Sequence, residues 1–252
     1  MARSIAIASP GENSPLRIDY TQHAGKRYTH TAAEIRVTKG HTMKLYTYDS
    51  APNPARIKMF MDYKDIHIET QQIDMTKTEH LSAAFLDVCP NGTVPTLILE
   101  DGRRLTEVIA IAHYLEALYP QRPLLGVTPV EKAMILNWNH RLFQTVFMAT
   151  AEAFRNAHPA YKDRALPGIR PTAQIPELAV RGRDRLISGL EELDAELATR
   201  AFIAGEQFSF ADIDLLALIQ FAGWAARVKP EPSLTNLHTW HERATQVLNT
   251  PA

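Results

Sequence analysis

The strand signals in this chain stop at Tyr119-Pro120-Gln121-Arg122-Pro123 and do not resume, so the fold joins a short α/β unit to an all-helical one. Upstream, residues 44–48 read as a strand and 53–63 as a helix, with Ile57, Met59, Phe60 and Met61 at helical spacing. Residues 67–73 are a second strand, and 79–88 a helix with Leu81, Ala84, Phe85 and Val88 on one face. A β-rich run covers 94–99, and Asp101-Gly102 turns into a short strand at 103–105. A third helix follows from Thr106, with Val108, Ile111, Ala112, Leu115 and Leu118 on one face. This order, βαβ then α then ββα, predicts parallel pairing first and an antiparallel edge hairpin last on one small sheet.

Downstream, Thr128-Pro129-Val130-Glu131 supplies an N-cap, a first-turn proline and a glutamate at N3. Residues 129–250 read as helical, with long helices over 130–156 and 176–199. The connection between them, 158–175, holds Pro159, Pro167 and Pro171 and is too long for a plain helix–helix turn. It reads either as a lid or as a variable surface loop. The expected organisation is a unit over 43–119, a linker over 120–128 and a helical unit over 129–250.

Residues 1–42 are polar and irregular, with a single short apolar patch at 5–8, too short for the core of a signal peptide. They read as a disordered extension, although the strand pattern that begins after Met43 fits equally a chain starting there. The 27 Lys and Arg nearly balance 28 Asp and Glu, and no basic run occurs, which argues against a nucleic-acid partner. The most apolar stretch, 213–228, contains Asp214 and Arg227, so no membrane span is expected. The single cysteine, Cys89, makes neither an internal disulfide nor a Cys-based zinc site. A reducing, cytoplasmic setting without a metal is the expectation.

Thr93-Val94-Pro95-Thr96 is the most informative tetrapeptide. A proline at the start of an inner strand lacks the ladder N–H and asks for a special reason. A cis Val94–Pro95 bond would supply one by turning the Val94 N–H and C=O outward, where they can pair with an extended peptide. Together with Lys44-Leu45-Tyr46, Asn53-Pro54-Ala55-Arg56-Ile57, Asn91-Gly92, Leu105-Thr106-Glu107-Val108 and Phe208-Ser209-Phe210-Ala211-Asp212-Ile213, this segment resembles the cytosolic glutathione transferases. The likeness is greatest to a fungal and bacterial subgroup, and it covers residues 43–250.

The resemblance implies a thioredoxin-like domain that holds glutathione as co-substrate, and a helical-bundle domain facing it with an apolar pocket for a small hydrophobic electrophile. It implies a homodimer as well. By motif position, Val94 pairs with the cysteinyl backbone beside Pro95. Glu107 and the N-terminal N–H groups near Val108 hold the γ-glutamyl end, where a carboxylate suits an ammonium and a helix N-terminus suits a carboxylate. His80 is placed to meet the glycine carboxylate.

Two positions depart from the family pattern: Val108 stands where many members have serine, and Ala51 where most have a catalytic serine or cysteine. Activation of the glutathione thiol then falls to the N-terminus of the 53–63 helix and to nearby polar groups. The candidates are the Asn53 side-chain amide, the Ser50 hydroxyl and, as a base, His158. Asn53 reads equally as a plain N-cap, Ser50 as a turn residue and His158 as a solvated helix end. Ser209-Phe210-Ala211-Asp212 reads as a capping box, and Phe143, Phe147, Met148, Phe154, Tyr161 and Trp224 as pocket or core. Three functions fit: thiol conjugation to an electrophile, glutathione-dependent reduction of peroxides or disulfides, and a non-catalytic glutathione-binding module.

Overall fold

The computed structural model describes residues 42–250, so the extension expected over 1–42 lies outside the described residues save for its last residue. Strand β1 (Lys44–Thr47) pairs in parallel with β2 (Glu69–Gln72) and antiparallel with β3 (Thr96–Ile98), and β3 pairs antiparallel with β4 (Arg104–Leu105). The sheet order is β2-β1-β3-β4. Helices α1 (Pro52–Lys64), α2 (Ala83–Val88) and α3 (Val108–Leu118) complete this half. Parallel pairing between the first two strands and an antiparallel hairpin at the edge follow the sequence expectation.

Two elements differ from it. β2 is shorter than 67–73, and all four of its residues are exposed at the sheet edge, so its limits come from pairing with β1. The expected 79–88 helix is broken at Ser82, whose extended backbone and hydroxyl cap α2 by accepting the Phe85 N–H at 3.2 Å. Two 3₁₀ turns, Met75–Lys77 and Glu79–Leu81, precede it. His80 therefore sits on a 3₁₀ turn.

The helical half comprises α4 (Pro129–Leu142), α5 (Met148–Ala157), α6 (Pro176–Leu197), α7 (Phe210–Phe221) and α8 (Thr235–Leu248). The helix expected over 130–156 is interrupted by a π-helical segment at Phe143–Phe147, and α7 runs into a second at Ala222–Ala226. Helices α5 and α6 approach closely at Gly182, where a Cβ would stand 2.6 Å from the Ala153 nitrogen. Thr128 and Glu131 form the expected capping box on α4, and Ser209 and Asp212 the one on α7.

The two halves share a core. Leu45, Ile57, Phe60, Leu97, Ile111 and Leu115 pack with Leu124 and Leu125, with Ile135 of α4 and with Phe210 and Ile213 of α7. The 120–128 segment is therefore more than a solvated tether: Leu124 and Leu125 are buried, and the Glu116 carboxylate accepts their N–H groups at 2.8 and 3.1 Å. A second cluster lies among α4–α8. Among the described residues no helix is long and apolar enough to cross a membrane.

Candidate functional site

The sheet register gathers four chain connections at one end. Thr47 is level with Gln72, Tyr46 with Thr96, and Leu97 with Leu105. The C-terminal ends of β1, β2 and β4 thus meet the N-terminal end of β3, which brings the start of α1, the 74–82 turns, Val94-Pro95 and the start of α3 to the same sheet end.

The Val94–Pro95 bond is cis. The β1–β3 ladder ends at Thr96, and among the described residues neither the N–H nor the C=O of Val94 has a hydrogen-bond partner. The Val94 side chain is buried against Ile73, Phe85 and Cys89, so the backbone, not the side chain, is what this residue offers. Cys89 lies beneath the turn, its Sγ 3.6 Å from Thr93 Oγ1. Burial pushes its thiol pKa up, but hydrogen bonds with Thr96, Thr93 and the Asn91 backbone outweigh this and leave it lowered.

Helix α1 starts at Pro52, with Ala51 as N-cap and no side-chain cap, so Asn53 is the second helical residue and not the N-cap. Pro52 and Pro54 have no N–H, and the Ala55 N–H donates to Ala51 O at 3.0 Å. The Asn53 N–H is left as the backbone donor of this first turn without a partner among the described residues. Its side chain is oriented by Arg56, whose Nη1 lies 3.0 Å from Asn53 Oδ1. A guanidinium only donates, so the amide oxygen faces Arg56, and the two N–H bonds of Nδ2 have no partner among the described residues. Asn53 thus combines backbone and side-chain donors at a helix N-terminus. Ser50 is exposed in the turn closed by Ala51 N–H donating to Tyr48 O at 2.8 Å, and its hydroxyl makes no hydrogen bond among the described residues.

Arg56 itself is buried. It grips Asp214 of α7 with Nε–Oδ1 at 2.6 Å and Nη2–Oδ2 at 2.8 Å, while Asn139 of α4 donates to the same carboxylate at 2.6 Å. Burial raises the Asp214 pKa, against the opposing pull of Arg56 and the Asn139 hydrogen bond. This network, absent from the sequence-derived candidates, fixes α1 against α4 and α7.

Glu107 is the N-cap of α3 and is exposed; its carboxylate makes no cap bond and has no partner among the described residues. The Ile111 N–H returns to Glu107 O at 2.9 Å, and the N–H groups of residues 108–110 have no partner among the described residues. The Val108 side chain is 5% exposed and turned into the core, so it offers the site only its backbone N–H.

His80 is 5% exposed, and its Nε2 lies 3.1 Å from Nη2 of Arg164. Burial, then the charges of Arg164 and Arg155, hold its pKa below the ordinary histidine value. His158 is exposed and caps the 3₁₀ turn Pro159–Tyr161, its Nδ1 accepting the Ala160 N–H at 3.2 Å. That cap occupies the unprotonated nitrogen a base would need. No hydrogen bond among the described residues links His158 to Asn53 or Ser50.

The expected aromatic residues form one cluster beside the two π-helical segments. Phe154 lies 4.9 Å from Tyr161, 5.1 Å from His158 and 5.4 Å from Trp224, and Phe147 lies 5.2 Å from Phe143 and 5.8 Å from Phe221. Phe143, Met148 and Trp224 retain 36%, 37% and 49% exposure, too much for core residues. Among the described residues no three His, Cys, Asp or Glu side chains come together as a metal site.

A four-stranded sheet of this order, an unpaired backbone beside a cis-proline and a packed helical half define a thioredoxin-like domain coupled to a helical one. Family profiles agree: "Glutathione S-transferase, N-terminal domain" matches residues 51–118 and "Glutathione S-transferase, C-terminal domain" residues 148–243. Glutathione S-transferase 2 of Saccharomyces cerevisiae is 32% identical over 209 residues, covering 81% of this chain and 86% of that protein. The crystal structure of Gtt2 from Saccharomyces cerevisiae superimposes with a TM-score of 0.72 at 28% identity, over 81% of this chain and 99% of that one. A glutathione S-transferase domain-containing protein of Marinobacter aquaeolei VT8 gives 0.73 at 28% identity, over 80% and 97%. The chain belongs to the glutathione S-transferase family.

Proposed function

We propose that the protein is a glutathione transferase that holds glutathione at the sheet end and directs its sulfur at a small hydrophobic electrophile. The observation that carries this reading is the convergence of unpaired groups there: the Val94 N–H and C=O, the Asn53 donors and the Glu107 carboxylate at the open start of α3. Val94 suits a peptide backbone, Glu107 an ammonium, and the residue 108–110 N–H groups a carboxylate. Glutathione supplies the nucleophilic sulfur. With only a methyl group at Ala51, Asn53 is the donor that holds the sulfur in its charged form, with Ser50 as a second hydroxyl in the same turn. The half-exposed aromatic cluster around Phe154 and Trp224 is the apolar wall for the electrophile. A cytoplasmic homodimer belongs to the same reading.

The test follows thiolate absorbance of bound glutathione across pH. A free thiol titrates near about 8.5, and the bound thiol is expected well below that. Asn53→Ala is expected to return it upward by about one pKa unit and lower conjugation about tenfold, each being about 1.4 kcal/mol, with unfolding free energy changed by less than about 1 kcal/mol. Tight binding with an unshifted thiol would leave a binding module. An asparagine amide rather than a hydroxyl as the donor nearest the sulfur favours glutathione-dependent reduction as the second reading, and peroxide turnover exceeding conjugation would select it.

A further inference from the structure

Two arginines of α6 donate to main-chain oxygens of the two π-helical segments. Arg183 Nη1 reaches Ala226 O at 2.8 Å, and Arg185 Nη2 reaches Gln144 O at 2.9 Å. Arg185 is itself held by Glu152 of α5, whose Oε2 accepts from Nη1 at 3.1 Å and whose Oε1 pairs with Arg181. The planar fork of Arg185 thus serves a side chain and a backbone oxygen at once. Helix α6 comes this close because it has a glycine where it meets the first segment: a Cβ on Gly189 would stand 3.3 Å from Thr145 O. At Ala226 the helix has ended and the chain turns through Arg227 at φ 56°. Among the described residues no backbone N–H reaches the Ala226 oxygen, and Arg183 is its donor.

Each segment carries one end of the aromatic cluster, Trp224 on the second, Phe143 and Phe147 on the first. The rings run in series: Trp224 to Phe221 at 5.3 Å, Phe221 to Phe147 at 5.8 Å and Phe147 to Phe143 at 5.2 Å. The exposed rings of the series are its two ends, Trp224 and Phe143. Their place relative to α1 follows from packing. Helices α1 and α7 run antiparallel, with Phe60 against Phe210 at 5.4 Å and Arg56 against Asp214 at 2.6 Å. Helix α7 therefore passes the first residue of α1 on its way to Phe221 and Trp224. The aromatic wall begins on the side of α1 toward which its N-terminal N–H groups point.

We propose that Arg183 and Arg185 are positioning residues for an aromatic electrophile. From α6 they fix the backbone of both π-helical segments, and with it the places of Trp224 and Phe143 that receive the substrate ring. This rests on the transferase reading above. Arg183 is the cleaner of the two to remove, because Arg185 also serves Glu152.

The first readout needs no substrate. Of the three tryptophans, Trp138 and Trp240 are 2% and 1% exposed, so acrylamide added to the full-length protein quenches Trp224. In Arg183→Ala the quenching constant is expected to rise. The second readout compares glutathione conjugation to 1-chloro-2,4-dinitrobenzene, from which the sulfur displaces chloride, with conjugation to iodomethane, which loses iodide and is too small to span the wall. The ratio of the two kcat/KM values is expected to fall about fivefold, as for the loss of one hydrogen bond. The fall should come through KM for the aromatic substrate, with glutathione affinity and the pKa of its bound thiol unchanged. Arg183→Lys keeps a donor for Ala226 O and should restore most of the ratio. An equal fall for both electrophiles, or an unchanged ratio, would overturn the assignment. Unchanged quenching overturns it whatever the turnover. Wild-type protein that turns over neither electrophile, while quenching responds to Arg183→Ala, would overturn the transferase reading instead.

Discussion

Arg56→Ala is expected to cost about 3–5 kcal/mol of folding stability, because it leaves the carboxylate of Asp214 buried with only one donor, Asn139 at 2.6 Å. The intact pair is bidentate at 2.6 and 2.8 Å, with side chains 5% and 0% exposed. Burial already raises the Asp214 pKa against the pull of Arg56, and without that cation it moves higher. A carboxyl whose folded pKa lies above its unfolded value contributes stability that is full below the unfolded pKa and lost as pH rises through the folded one. The deficit of the variant therefore grows with pH, and urea unfolding at several pH values measures it. A second variant separates folding from catalysis. Arg56→Met with Asp214→Leu replaces the ion pair by apolar contact and is expected to recover most of the lost stability. Turnover should stay low, because Asn53 has still lost the Nη1 donor at 3.0 Å that orients its amide. Full recovery of turnover would remove Arg56 from its role as a positioning residue.

The elements most plainly legible in the sequence were those with a strong period or a punctuating residue. Helix α3 buries Val108, Ile111, Ala112 and Leu115 at the expected spacing, while Leu118 in its last turn is exposed, and Asp101-Gly102 makes the edge turn, with the Gly102 N–H on Leu99 O at 2.9 Å. The misses have local causes. Ser82 breaks the 79–88 helix because its hydroxyl competes for the Phe85 N–H, while apolar residues on both sides keep a helical spacing across the break. A π-helical segment changes the hydrogen-bond ladder with little mark on composition, so the interruption at Phe143–Phe147 left no sequence signal.

The site divides in the same way. Val94, Glu107 and Ala51 could be placed because each belongs to a short motif at a strand or helix start. Arg56, Asn139 and Asp214 belong to three distant segments, and no local spacing joins them. A signal was nevertheless present: an aspartate within a helix apolar around most of its circumference needs a buried partner, and Asp214 marks one. Arg155 gave no such sign. It braces the 158–175 segment through the carbonyl oxygens of Arg164, Ala165 and Leu166, which lie nine to eleven residues away in an irregular stretch.

Asp212→Ala is expected to remove about 3–5 kcal/mol, the range for stranding several buried donors at once. Its Oδ1 accepts the Ile203 N–H and Trp240 Nε1, both at 2.8 Å, and its Oδ2 accepts the Ser209 N–H at 2.9 Å and the Ser209 hydroxyl at 3.1 Å. One carboxylate thus ties the start of α7 to the preceding loop and to α8. Asparagine can keep its oxygen on Ile203 and Trp240, but its amino group then faces the Ser209 N–H, so Asp212→Asn should lose about half as much. The two variants also differ from the wild type in pH dependence. Burial pushes the Asp212 pKa up to about 6 from 3.8, against the hydrogen bonds that favour its charge. The folded value is the higher one, so the proton adds stability below the unfolded pKa, and that contribution disappears as pH rises through about 6. Wild-type stability measured relative to Asp212→Asn should therefore fall by about 3 kcal/mol across that window, since a tenfold change in proton affinity is worth about 1.4 kcal/mol. A difference that is flat with pH would mean that Asp212 stays charged throughout, with its four donors offsetting the whole cost of burial. In that case the alanine variant should lose still more.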